Sequence, residues 1–353
     1  MSMRKTVLFS KISLGLLTLM GLIMLASCDP HQFPDKGLTL HLRFDTAWTH
    51  SEYSTGISPA TMPTRSAGEV TRMRYIIRFY DYAGDAAGQV SAPYREFVFY
   101  RNVTDNYDAD FEITVDPGHY RVMAWADFPA SPHNGGLYHD AADFAEVRLL
   151  TPHTGNTDRR DAFRGEAEVK ASQLTYDMAA ATVSMQRPLA KYEFVSTDLK
   201  EFMAQETRKL TTAGTGTSRA NVDLSKYKVV FLYSGYMPNA YSLFTDRPVD
   251  SATGISFDGR IKQLSDSEVS LGFDYVLVNH EHTSITVRVG LYNGQGTLLS
   301  LSKPINVPVW RSNHTIVRGR FLMENASGNI GIDPTYDGEY NLIINTNNIL
   351  TNN

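Results

Sequence analysis

The sequence predicts an all-β protein built as two antiparallel β-sandwich domains in tandem. Short runs of alternating apolar and polar residues recur along the chain with turn residues between them, and one stretch alone shows helical spacing. Aromatic residues make up 11% of the chain, and the runs are rich in Thr, Val and Ile, which suit a pleated, half-buried surface. Setting aside an N-terminal export segment of 27 residues leaves 326 of the 353, enough for two domains of ordinary size.

The export segment is read from charge and length. Arg4, Lys5 and Lys11 precede an uncharged run of 15 residues, Ile12 to Ala26. A membrane-spanning helix needs about 20 apolar residues, while a secretory apolar region takes roughly 7–15. Residues 1–27 therefore read as a signal peptide. Its exit, Leu25-Ala26-Ser27-Cys28, resembles a bacterial lipobox. In that motif the Cys28 thiol is acylated with diacylglycerol and becomes the N-terminus after cleavage. Cys28 is the only cysteine, so no intramolecular disulfide forms. The following Asp29-Pro30-His31-Gln32-Phe33-Pro34 belongs to a lipidated tether over 28–37. A single acyl chain binds membranes marginally, so a multi-acyl Cys28 is the stable anchor.

Charge excludes one class of partner. The 33 Lys and Arg, less Arg4, Lys5 and Lys11, leave 30 against 38 Asp and Glu, a net charge of −8 for the mature chain. The basic residues form no stripe, so nucleic acid is not a partner.

The elements follow in order. Leu38, Leu40, Leu42 and Phe44 alternate with Thr39, His41 and Arg43, predicting a half-buried first strand over 38–44. Residues 45–70 read as a long loop. Strands follow at 73–80, 94–101, 111–115 and 120–128, with Asp116-Pro117-Gly118 predicting a hairpin between the last two: Pro presets φ and Gly accepts positive φ. A short strand at 146–150 and strands at 163–169 and 179–185 complete a first domain over 38–190. Pro188 argues against a central strand across its own bond and marks the boundary. In the second domain, 191–353, strands are expected at 192–195, 227–233, 284–291, 298–301, 304–310, 314–321 and 341–344. Residues 198–209 read as a short helix. Asn293-Gly294 predicts a hairpin, and 304–310 with 314–321 a further strand pair.

These residues also carry a resemblance. The segments are the lipobox Cys28, the alternating first strand, Pro117-Gly118-His119-Tyr120-Arg121-Val122-Met123-Ala124-Trp125-Ala126-Asp127, Met185-Gln186-Arg187-Pro188-Leu189-Ala190-Lys191, and Pro308-Val309-Trp310-Arg311-Ser312-Asn313-His314-Thr315-Ile316-Val317-Arg318-Gly319. In this order the chain resembles the FimB-type anchor subunits of type V fimbriae and the wider fimbrillin-like lipoproteins of Bacteroidales-type bacteria. The resemblance implies two tandem transthyretin-like sandwiches and lipid attachment at the outer membrane, exposed at the surface. It further implies a fimbrial anchor or adhesion role, with other fimbrial or surface subunits as partners, joined by β-strand addition. The first strand, Leu38 to Phe44, and the C-terminal stretch Asn341 to Leu350 are the candidate exchanged edges. No enzyme activity and no cofactor are implied. Asp29 directly after Cys28, with Asp35, is a sparse version of the acidic run that resembles a surface-export signal in this lineage. Asp45-Thr46-Ala47 and Asp250-Ser251-Ala252 resemble O-glycosylation sites of its exported proteins, with Thr46 and Ser251 as acceptors.

Other chemistry is weaker. His280-Glu281-His282 places two imidazoles on one strand face, without a visible third metal ligand. His133-Asn134-Gly135-Gly136 is like an oxyanion loop, but the Gly-x-Ser-x-Gly elbow is absent. Asp105, Asp108 and Asp110 are spaced like a calcium run, yet lack the Gly and Glu that complete it. Trp48, Trp125 and Trp310 are candidates for a sugar-stacking platform, and core packing explains each equally. Trp48, in a loop with Tyr53, is the best placed. That platform carries the alternative function: a surface lipoprotein that binds glycan for a polysaccharide-uptake system.

Overall fold

The computed structural model describes residues 37–49, 71–82, 92–104, 106–131, 135–171, 179–212, 222–279, 282–323, 329–330 and 342–345. The described residues are nearly all β. The first nine strands are β1 (Gly37–Phe44), β2 (Thr71–Asp81), β3 (Arg95–Val103), β4 (Ala109–Thr114), β5 (Gly118–Asp127), β6 (His139–Asp140), β7 (Val147–Leu149), β8 (Phe163–Ala171) and β9 (Ala179–Gln186). Seven of them form one sheet in the order β3-β2-β5-β8-β9-β1-β4. Leu38, Leu40, Tyr75, Ile77, Val122 and Val183, drawn from strands along this whole path, bury into one common core. The sheet therefore folds over on itself, with β3-β2-β5-β8 as one layer and β9-β1-β4 as the other. The crease lies at β8–β9, where the ladder is three pairs long, Arg164–Glu166 against Ser184–Gln186. Gly165 sits in it because a Cβ there would come within 2.5 Å of Met185 Sδ and 2.6 Å of Val183 Cγ1.

The chain continues as β10 (Leu189–Ser196), α1 (Leu199–Thr212), β11 (Lys228–Tyr233), β12 (Met237–Ser242), β13 (Arg247–Ala252), β14 (Ser256–Asp258) and β15 (Lys262–Gln263). Then come β16 (Val269–Leu277), β17 (Thr283–Tyr292), β18 (Leu298–Leu301), β19 (Ile305–Val309), β20 (His314–Gly319), β21 (Asn329–Ile330) and β22 (Leu342–Asn345). One sheet runs β15-β16-β10-β20-β22-β21. It packs on a second, β14-β11-β17-β18, with β19 also paired to β17. Tyr192, Phe194, Phe231, Val287 and Val307 fill the space between them, and α1 adds Leu199 and Phe202 to the same core.

Among the described residues, strand pairing is antiparallel with three exceptions. β1 runs parallel to β9, β10 parallel to β20, and β20 parallel to β22. In each sandwich the first strand thus lies beside a late one. The two sandwiches are not separate beads. A sheet in the order β13-β12-β7-β6 takes two strands from each side of residue 188. Against it lies a third core, with Trp125, Phe144, Tyr241, Leu243, Tyr275 and Leu277 all buried.

Two expected pairings differ. The Asp116-Pro117-Gly118 turn joins β4 to β5, but β4 pairs with β1 while β5 pairs with β2 and β8. The turn is an arch between layers. β19 and β20 behave alike: β19 pairs with β17, and β20 with β10 and β22. A tight turn between alternating strands serves a hairpin or an arch, and the strand pattern is the same in both. The Asn293-Gly294 hairpin does form, with Gly290 opposite Leu301. β1 has partners on both sides, so this expected exchange edge is an interior strand.

Candidate functional site

The segments that carry the family resemblance converge where the sandwiches join. Arg187 follows β9, and Pro188 breaks the strand so that the chain turns into β10. Arg187 is buried, and its Nε lies 2.9 Å from both carboxylate oxygens of Asp161. Its Nη1 donates to Ala47 O at 3.1 Å, and its guanidinium stands 4.1 Å from the Trp48 ring centre. Lys191, also buried, donates to Asp158 at 2.9 Å and lies 4.0 Å from the Phe273 ring. The second segment meets the first through its backbone: Ser312 N–H donates to Leu189 O at 2.9 Å, and Lys191 N–H to Asn313 O at 2.8 Å. Ser312 takes the turn at φ 55°, and Asn313, fully buried, donates to Thr315 Oγ1 at 3.0 Å. Arg311 forks onto both oxygens of Asp246 at 2.9 Å each and reaches Tyr241 OH at 2.6 Å. Burial alone would raise the Asp246 carboxyl; Arg311, Tyr241 and Arg164 outweigh it and hold it at about 2.

Two further buried groups complete this waist. Asp274 accepts from Tyr233 OH at 2.7 Å, pairs with His153 Nε2 at 2.7 Å, and lies 3.3 Å from Arg160 Nε. Burial would raise its pKa, but Arg160, His153 and Tyr233 hold it below the usual carboxylate value. The set has the composition of an acid–base relay. Asp274, Arg160 and Tyr233 are all buried, however, so the set acts as a cross-link between the 152–160 loop and β16. On the other side, Arg74 forks onto Asp127 at 2.8 and 2.6 Å, and Trp125 Nε1 donates to the same carboxylate at 3.0 Å. His139 is buried beside them, its pKa pushed down to about 3 by burial and by Arg160 and Arg74. Buried charges are tolerable when paired, as Asp274 is with Arg160 and Asp127 with Arg74.

The sequence-predicted site residues divide. Cys28, residues 1–27 and most of the tether lie outside the described residues, as do His133, Asn134, Asp105, Tyr53, His280 and Glu281. Thr46 is exposed in the loop after β1, where Asp45 accepts the Ala47 N–H at 3.1 Å. Ser251 is exposed on the edge strand β13, where Asp250 accepts the Ser251 N–H at 2.8 Å and Arg148 Nη1 at 3.0 Å. Thr46 therefore lies in a loop of the first sandwich and Ser251 on a strand of the joining sheet. The acidic run is occupied by structural partners: Asp108 accepts Phe44 N–H at 2.8 Å, and Asp110 pairs with Arg43 at 2.7 Å and His41 at 2.8 Å. Gly136 needs no oxyanion role, since a Cβ there would fall 2.2 Å from His139 O and 2.6 Å from Arg74 Nη2. Trp125 is fully buried, and Trp48 packs between Arg187 and Tyr275. Trp310, half-buried, stacks on His282 at 4.5 Å. Among the described residues no group of three His, Cys, Asp or Glu could hold a metal ion, and no helix is long and apolar enough to cross a membrane.

The waist partners Asp158, Arg160, Asp161, Asp246 and Asp274 went unread in the sequence. Asp158-Arg159-Arg160-Asp161 has the composition of a solvated loop. The one available signal was the apolar Ala162-Phe163 directly after it.

The fold and its waist define an all-β protein of two joined sandwiches. The sequence matches, over residues 34–351, a family described as a family of unknown function, DUF6562, and the chain belongs to it. No curated protein sequence matches the chain. Among solved structures, the chain is similar to a candidate adhesin from Bacteroides thetaiotaomicron at 14% identity and TM-score 0.40, covering 78% of this chain and 81% of that one. It is similar to the fimbrial anchor protein Mfa2 from Porphyromonas gingivalis at 13% identity and TM-score 0.37, covering 75% and 82%. A fimbrial assembly protein from Parabacteroides distasonis overlaps at 12% identity and TM-score 0.33, covering 80% and 90%. Overlap at this level is partial, and the fold described above stands on this chain's own strands.

Proposed function

We propose that this chain is an outer-membrane lipoprotein that acts as a fimbrial anchor or fimbrillin-like adhesion subunit, without catalysis. Residues 1–27 are its signal peptide, Cys28 its acylation site and 28–37 its tether. Residues 38–190 and 191–353 are its two sandwich domains, and Thr46 and Ser251 are its O-glycan acceptors. Partner subunits join by β-strand addition, in which backbone hydrogen bonds give affinity and alternate side chains give register. The observation that carries the reading is the Leu25-Ala26-Ser27-Cys28 exit ahead of a β body that resembles fimbrial anchor subunits in its ordered motifs.

The test has two arms. Cys28→Ala blocks acylation and leaves the chain unprocessed; a variant that is still lipid-labelled and processed refutes the lipid anchor. Pull-down of the wild-type chain from a strain that makes fimbriae recovers polymerised subunits; recovery of none refutes the anchor role.

A further inference from the structure

The first sandwich has unequal layers. Four strands, β3-β2-β5-β8, face three, β9-β1-β4. On β4, the Phe111 ring lies between Tyr75 of β2 at 5.3 Å and Phe99 of β3 at 4.3 Å. β4 therefore stands opposite the boundary between β2 and β3. Among the described residues no strand continues the second layer beyond it. The inward face of β3 carries, in strand alternation, Arg95, Phe97, Phe99 and Arg101. The two Phe rings are half-buried: Phe99 stacks on Phe111 of β4 and Phe97 meets Phe79 of its own layer at 5.9 Å, and among the described residues no strand beyond β4 covers their outer sides.

The arginines fill that position. Arg95 Nη1 donates to Thr114 O at 2.9 Å, and Arg101 Nη2 donates to Asp110 O at 3.0 Å, with its guanidinium 4.6 Å from the Phe111 ring. Alternate residues point their backbone groups to one side, so Asp110, Glu112 and Thr114 form the outer edge of β4. Two carbonyls of that edge are thus met by side chains from the opposite layer, where a neighbouring strand would otherwise meet them. Exposed edges invite strand pairing, and charged side chains laid over them hold that tendency in check.

We infer that the β4 edge is a strand-accepting site whose occupant is an extended segment of a partner polypeptide with a set side-chain pattern. The added strand takes the carbonyls of Asp110 and Thr114 with its own N–H groups and completes the short layer. Its inward side chains face Arg95, Phe97, Phe99 and Arg101, so apolar residues at two successive inward positions cover the rings. Acidic residues at the inward positions on either side receive the displaced guanidinium groups. The segment thus reads acidic-x-apolar-x-apolar-x-acidic. This rests on the reading that partners join by strand addition, and it locates the addition away from both edges that the sequence singled out.

The probe is a fluorescent peptide, Glu-Thr-Val-Thr-Ile-Thr-Glu, titrated into the detergent-solubilised full chain, with a control in which both Glu are Lys. Two ion pairs at a solvent-exposed edge favour the acidic peptide by about ten-fold. The acidic peptide slows amide exchange at Glu112. The double variant Arg95→Glu, Arg101→Glu, on exposed positions, reverses the order of the two peptides. Unchanged exchange at Glu112, or a double variant that keeps the wild-type preference, overturns the site. Failure of the peptide with fimbrial subunits still recovered in pull-downs refutes this edge and leaves the anchor reading. Peptide binding with no subunit recovered does the reverse.

Discussion

Arg187 and Arg95 show one side chain in two settings within the same sandwich. Arg187 is buried, forks onto Asp161 and lies against Trp48. Arg95 is exposed and touches a backbone carbonyl that water satisfies equally well. The first leaves a charge stranded when removed; the second leaves an edge open. Cohesion in this molecule is therefore concentrated at the waist, where ion pairs and aromatic rings are enclosed. The open side of the first sandwich is held lightly. The fold is fixed where it must not change and loose where a strand can be gained.

The contrast can be broken first at its strongest point. Arg187→Ala leaves Asp161 buried and unpaired and destabilises the chain by about 3–5 kcal/mol, read as a shift in urea midpoint. Replacing both partners, as Arg187→Met with Asp161→Leu, restores most of that loss. Trp125→Phe removes volume from the inter-sandwich core and the donor to Asp127, with an expected loss of about 2–3 kcal/mol in the same assay.

His139 gives the waist a pH signature. Its folded pKa of about 3 lies below the ordinary 6.5, so between those values the unfolded chain binds the proton that the folded chain refuses. The contribution of this site to stability rises with pH across that window, by up to about 1.4 kcal/mol per pH unit, and is level above it. His139→Gln removes that slope, as urea titrations at pH 4.5, 5.5 and 7 will read. A slope unchanged by the substitution refutes the assignment. The smallest effect falls at the edge: Arg95→Ala shifts stability by less than about 0.5 kcal/mol. A loss as large as that of Arg187→Ala would erase the distinction between waist and edge.

Strands with one buried face were legible in the sequence. In β1 the buried Leu38, Leu40 and Leu42 alternate with less buried neighbours, as the sequence pattern has it. β16 was not legible, because both its faces are covered: Leu271 and Val276 enter the second core while Tyr275 and Leu277 enter the inter-sandwich core. A strand with two buried faces loses its alternation, and Gly272 and Asp274 further disguise it. β12 was hidden by Pro238 and Asn239. The ion pairs of the waist were out of reach for another reason. Asp161 and Arg187 are 26 residues apart, and Arg311 and Asp246 are 65 apart. Only the folded chain brings such charges together, and in the sequence each reads as a solvated residue. Trp125 was legible as either core or ligand platform, and the neighbouring sandwich decides for core.

The parallel pairing of β1 with β9 has a mechanical consequence. In the proposed anchor, a pull on the N-terminal side enters at Gly37, the first residue of β1. That strand is bound along its length by seven residue pairs to β9 and six to β4. Tension along the strand axis therefore loads both ladders in shear, many hydrogen bonds at once, where tension across them would unzip one bond after another. β9 passes through Arg187 and Pro188 directly into β10, which is in turn clamped between β16 and β20. Load entering β1 is handed from one sandwich to the other along strand axes, and the enclosed ion pairs of the waist sit at the handover.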